Sequence, residues 1–181
     1  LGACGLMPGD RVAMQIEKSV DALALYAASV QAGVVFLPLN PAYTAAEVDY
    51  FVGNSGAGLL ICDPARKDEL AEVAARNGAR LESLGISGDG SFAVLAQDQP
   101  GTFATVARDA DDLAAFLYTS GTTGRSKGAM MTQRNLLSNA QTLKDLWRFT
   151  SDDVLLHALP IFHTHGLFVA TNVMLLAGGA M

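Results

Sequence analysis

"LAAFLYTSGTTGRSKGAMMT", Leu113 to Thr132, decides how the chain is built. "LAAFLYTS" is apolar and reads as a strand. Gly121, Gly124 and Gly128 let the backbone turn tightly and approach a ligand with no Cβ in the way. Successive backbone N–H groups can then form an anion-binding concavity. Thr119, Ser120, Thr122 and Thr123 add hydroxyl donors, and Lys127 adds a mobile positive charge. The common nucleotide loop needs G-x-x-x-x-G-K-[ST] and runs directly into a helix whose N-terminus meets the phosphate. Here Lys127 precedes the last glycine, "GAMMT" is extended, and the first helix cap comes only at Thr132. The spacing therefore predicts a loop between two strands, followed by a helix over Gln133–Phe149.

The flanking sequence places this stretch in an α/β fold. "GDRVAMQI" is a turn and a strand; "SVDALALYAASVQAG" has helical spacing at Leu23, Ala27 and Val30, with Gly33 as its stop. "VVFLPLN" is a buried strand. Thr44 and Glu47 form a T-x-x-E capping box at the start of the next helix. "AGLLICD" is a strand, Asp63 caps a helix with Pro64 in its first position, and Asn77-Gly78 ends it. "ARLESLGI" is a further strand, and residues 87–112 are a connecting region with one or two short elements. Downstream, Leu136, Leu137, Ala140, Leu143, Leu146 and Trp147 share one face of the Gln133–Phe149 helix. "DDVLLHALP" reads as another strand and "HGLFVATNVMLLAGG" as an apolar helix ending in glycines. Alternation of strand and helix means a largely parallel sheet flanked by helices.

Composition narrows the function. The chain has 181 residues, half of them hydrophobic and 17% charged, which supports a packed core. A net charge of −6 argues against a nucleic-acid binder, which would present a basic face. It leaves ATP open, because local lysines and amides can bind an anion on an acidic protein. The two cysteines, Cys4 and Cys62, form no C-x-x-C pattern, which speaks against zinc and for a reducing, cytoplasmic compartment. The apolar run Asp21–Asn40 is interrupted by Ser29, Gln31, Gly33 and Pro38, so helix plus strand explains it better than a membrane span. The start at Leu1 without Met and the stop in "LLAGGAM" lead to the expectation of a piece of a longer protein.

Any three residues of the glycine stretch fit an ordinary turn. Seven positions fixed together, at a usage of about 7% each, arise by chance on the order of 10⁻⁸ per start site. "YTSGTTGRSKGA" resembles the phosphate loop of the adenylate-forming superfamily, the acyl-CoA synthetases, luciferases and peptide-synthetase adenylation domains. "GDRVA", "KSVDALALYAASVQAGVVFLPLNPAYTAAEVDYFVGNSGAGLLICD" and "LPIFHTHG" sit where that family has matching segments. Most members have proline before the loop lysine; here it is Ser126, and with "LPIFHTHGLF" this is most similar to the malonyl-CoA synthetase branch.

The resemblance implies that residues 1–181 are part of the large N-terminal domain of an adenylate-forming enzyme, lacking the rest of that domain and the small C-terminal domain. It implies ATP, Mg²⁺ and coenzyme A as reactants, malonate or a related acid as substrate, and no activity for this piece alone. Thr119, Ser120, Gly121, Thr122, Thr123, Gly124, Arg125, Ser126 and Lys127 would hold ATP. Lys127 would be catalytic, and Thr119 would also help hold the metal. His163 would face the substrate carboxylate, with His165 as a weaker candidate that could equally cap the helix beginning beside it. His157 is assigned to structure, Arg125 and Arg134 to solvated surface, Trp147 and Phe149 to core or interface, and both cysteines are read as inert. Two other readings stay open: an adenylate-forming enzyme for a fatty, aryl or amino acid, and a phosphate-binding module without chemistry.

Overall fold

The computed structural model of the chain describes residues 1–119 and 126–181. Among the described residues six strands form one sheet: β1 (Arg11–Gln15), β2 (Val35–Pro38), β3 (Leu59–Cys62), β4 (Arg80–Ser83), β5 (Leu113–Thr119) and β6 (Lys127–Thr132). Their order is β4-β3-β1-β2-β5-β6, and every neighbouring pair is parallel except β5 with β6. The helices are α1 (Val20–Ala32), α2 (Ala45–Ser55), α3 (Lys67–Arg76), α4 (Ser91–Gln97), α5 (Gln133–Trp147) and α6 (Asn172–Ala177).

From β1 the chain steps to β2 on one side, then returns past β1 to β3 on the other. Crossovers of one hand must put the two connecting helices on opposite faces when the direction of travel reverses. The cores agree. Val12, Met14, Phe36 and Ile61 pack with Ala22, Leu25 and Tyr26 of α1 and with Ile161, Leu167 and Phe168. Ala13, Val35, Leu37 and Leu60 point the other way, onto Val48, Phe51 and Val52 of α2 and Leu70, Val73 and Ala74 of α3. Strands covered on both faces are apolar at every position, which is why "VVFLPL" and "LLIC" carry no alternation.

The local signals work as the sequence predicts. Thr44 and Glu47 close the capping box of α2, with the Glu47 carboxylate accepting from the Thr44 amide at 2.8 Å. Asp63 accepts from Ala65 N at the head of a single 3₁₀ turn, Pro64–Arg66, that leads into α3. α4 is the short element expected within 87–112.

Three expectations are corrected. In α1 the buried face is Ala22, Leu25, Tyr26 and Ser29, while Ala27 and Val30 are exposed and Leu23 is half-buried. The helix is apolar nearly all round, so its pattern could not choose a face. "DDVLLHALP" forms no strand; it makes one isolated bridge, Val154 with Ala180, and Leu156 lies in solvent. An extended apolar run becomes a strand only when a neighbour accepts its backbone groups. Finally, α5 ends at Trp147, where Arg148 takes a left-handed conformation (φ 60°), and Trp147 is 52% exposed, so it is no core anchor. It stands edge-on to half-buried Phe149, ring centres 6.2 Å apart.

Candidate active site

In doubly wound sheets ligands collect at the carboxyl ends of the strands. β1 and β2 end there, as does β5 at Thr119. The antiparallel β5–β6 register pairs Thr119 with Lys127 and Tyr118 with Gly128. The two ends of the glycine stretch are therefore clamped side by side at this edge. Ser120, Gly121, Thr122, Thr123, Gly124 and Arg125 lie outside the described residues. The predicted strand on either side of them is observed, and so is the helix cap: Thr132 Oγ1 accepts from Asn135 N, and the Asn135 side chain accepts from Thr132 N.

Lys127 and Thr119 are exposed at the strand ends, and Ser126 is half-buried. α2 braces this exit. Tyr50 Oη donates to the Ser126 carbonyl at 2.8 Å, and Tyr118 Oη donates to Asn54 Oδ1 at 2.6 Å. Phe51 packs tilted against Tyr50 and Tyr118, which meet edge-on, with Phe51 and Tyr118 centres 4.5 Å apart. Burial, with Tyr50 beside it, pushes the Tyr118 phenol up to about 12, so it stays a donor.

The second part of the site is the segment from His157 to Thr171. His163 is exposed, its ring 4.5 Å from that of Phe162, and its carbonyl accepts from Leu167 N at 3.0 Å. His165, also exposed, opens a π-helical run, His165–Thr171, that continues into α6. Among the described residues no side chain caps that start, so His165 is not the cap considered from sequence. His157 is indeed structural, though not in a strand. Its Nε2 lies 3.0 Å from Gly166 O and from Thr171 Oγ1, and its Nδ1 lies 3.1 Å from Lys18 Nζ.

Arg134 pairs with Asp111 at 2.9 Å on the surface, as expected of a solvated arginine. Cys62 is buried, which pushes its thiol up to about 11, and burial also raises Cys4; both are free thiols poorly disposed to ionise. Among the described residues no group of three His, Cys, Asp or Glu gathers as a metal site, and no helix is long and apolar enough to cross a membrane. Sequence reasoning missed Lys18, Tyr50 and Tyr118. Each contacts a residue at least 64 positions away, a distance that no local pattern records.

A parallel α/β sheet, closed at one edge by an antiparallel pair that brackets a glycine- and hydroxyl-rich stretch, defines a class: an α/β domain with a candidate anion site at its carboxyl edge. The family follows from comparison. The AMP-binding enzyme family matches residues 1–181, and the chain belongs to it. It is 60% identical to ATP-bound MatB from Rhodopseudomonas palustris, with a TM-score of 0.97, covering all of this chain and 36% of that one. It is 33% identical to an oxalate–CoA ligase of Arabidopsis thaliana over 98% of this chain and 35% of that protein. It is 31% identical to a malonate–CoA ligase of the same plant, over 92% of this chain and 28% of that protein. The chain thus spans about a third of the length of the curated relatives it matches.

Proposed function

We propose that residues 1–181 are part of the large domain of an acid–CoA ligase that activates malonate with ATP. The observation that carries this is the pairing of Thr119 with Lys127 across the ends of the glycine stretch, at the carboxyl edge of the sheet. Support comes from the likeness over the whole chain to a MatB that holds ATP, and from relatives named for short dicarboxylates.

The reaction has two steps. A carboxylate oxygen of the acid attacks the α-phosphorus of ATP; the bond from that phosphorus to the bridging oxygen breaks, and pyrophosphate leaves. The thiolate of coenzyme A then attacks the acyl carbon, and AMP leaves with the oxygen it shared. The first step needs little proton transfer; it needs positioning and neutralisation of charge. Thr119, Ser120, Gly121, Thr122, Thr123, Gly124, Arg125 and Ser126 would cradle the phosphates. Lys127, exposed where β6 begins, reaches the same edge with its charge. Thr119 offers a hard oxygen suited to Mg²⁺, which accompanies ATP and offsets phosphate charge.

A second carboxylate is costly to bury unless hydrogen-bonding or charged groups meet it. His163, exposed at the tip of its turn, would supply one such bond. His165, beside it, is the weaker candidate.

Two measurements test the reading. In the full-length enzyme, Lys127→Ala should slow malonate-dependent pyrophosphate release by up to roughly 3–4 kcal/mol in the barrier; unchanged release removes Lys127 from the chemistry. His163→Ala should lower kcat/KM for malonate by roughly 1–3 kcal/mol, and that for butyrate much less. Equal losses for both acids make His163 structural, and a wild type that prefers long-chain or aryl acids leaves only the family assignment.

A further inference from the structure

Lys18, half-buried between β1 and α1, makes three contacts through its ammonium, none of them with a carboxylate among the described residues. It donates to the carbonyls of His157 and Leu159, the latter at 3.0 Å, and meets His157 Nδ1 at 3.1 Å. An ammonium has only donors, so Nδ1 must be the lone-pair nitrogen and Nε2 must carry the proton. That proton faces Gly166 O and Thr171 Oγ1, each 3.0 Å away, while buried Thr171 donates its own proton to Gly166 O. One cation thus fixes the tautomer of one imidazole, and the imidazole fixes the backbone nine residues on.

The turn between these grips has no slack. A Cβ on Gly166 would lie 2.0 Å from Pro160 O, so Pro160 and Gly166 touch backbone to backbone. Ile161 and Leu167 anchor it in the core. His163 rides at its tip, where among the described residues the Phe162 ring packs on it and the Leu167 amide donates to its carbonyl. Where His163 stands is therefore decided by where the turn is held.

We propose that Lys18 and His157 are a pair of positioning residues that set the Pro160–Gly166 turn, and through it the placement of His163 toward the acid. This rests on the acid–CoA ligase reading above. Neither residue is assigned contact with the reacting atoms.

The experiment uses the full-length enzyme with Lys18→Met, Lys18→Arg, His157→Leu, His157→Gln and the Lys18→Met/His157→Leu double variant. Amide hydrogen exchange, read by mass spectrometry, should speed up in residues 160–167 in both Met and Leu variants and stay unchanged in β1–β3. In steady state, the KM for malonate should rise by roughly ten- to a hundredfold, with the KM for ATP within about twofold. The double variant should be no worse than the worse single one, because the two residues act as one unit. Lys18→Arg and His157→Gln, which keep donors at the same places, should recover part of the loss. Exchange in 160–167 unchanged in both single variants overturns the pair, as does a rise in KM for ATP equal to that for malonate. Exchange that responds as stated, in an enzyme that turns over no dicarboxylate, overturns the malonate reading and leaves the pair standing as a holder of the turn.

Discussion

Glu82 shows how one side chain can carry a pH dependence. It is 7% exposed, with Arg80 at 2.6 Å and the Ser91 hydroxyl on its second oxygen. Burial is the largest influence and pushes its pKa up. The Ser91 and Arg80 hydrogen bonds, with the charges of Arg80 and Lys67, outweigh it and hold the carboxyl below its ordinary value of 4.5. A group depressed in the folded state stabilises that state above its unfolded pKa, and the gain is lost as pH falls through the folded value. Urea midpoints should therefore fall more steeply below pH 4.5 in the wild type than in Glu82→Gln. Parallel profiles would mean that Glu82 contributes nothing to acid sensitivity.

At the scale of the element, the turn from β6 into α5 is made by Thr132 and Asn135. Each side chain satisfies the other's amide, at 3.0 and 3.2 Å. The first amides of a helix have no partner within it, so this box replaces water for two of them. Thr132→Ala should cost about 1 kcal/mol, and Thr132→Ser should cost less than half of that, both read from denaturant midpoints. On the proposed reading, in which Lys127 of β6 meets ATP, a frayed α5 start should also raise the KM for ATP in the full-length enzyme; an unchanged KM would separate the cap from the proposed site.

At the scale of the whole molecule, the sheet decides what each helix buries. Leu25 is 3% exposed and packs in the core, whereas Val30, on the face that periodicity suggested, is 39% exposed. Leu25→Ala should destabilise by about 2–5 kcal/mol, and Val30→Ala by no more than about 0.5–1 kcal/mol. The opposite order in thermal or urea unfolding would put the wrong face of α1 against the sheet.

Neighbours in the chain settle the local features. Caps at Thr44, Asp63 and Thr132, strands at "VAMQ", "LLIC" and "LAAFLYT", and the strand-to-strand setting of the glycine stretch all depend on contacts within a few residues. The family likeness, too, lay in a string of adjacent residues. The tertiary structure alone decided the buried face of α1, the failure of "DDVLLHALP" to become a strand, and the grip of Lys18 on His157 across 139 positions. An all-round apolar helix, an unpaired extended run and a lone lysine are each compatible with several partners. Burial and hydrogen bonding choose among them only when distant segments meet, and no local pattern records that choice.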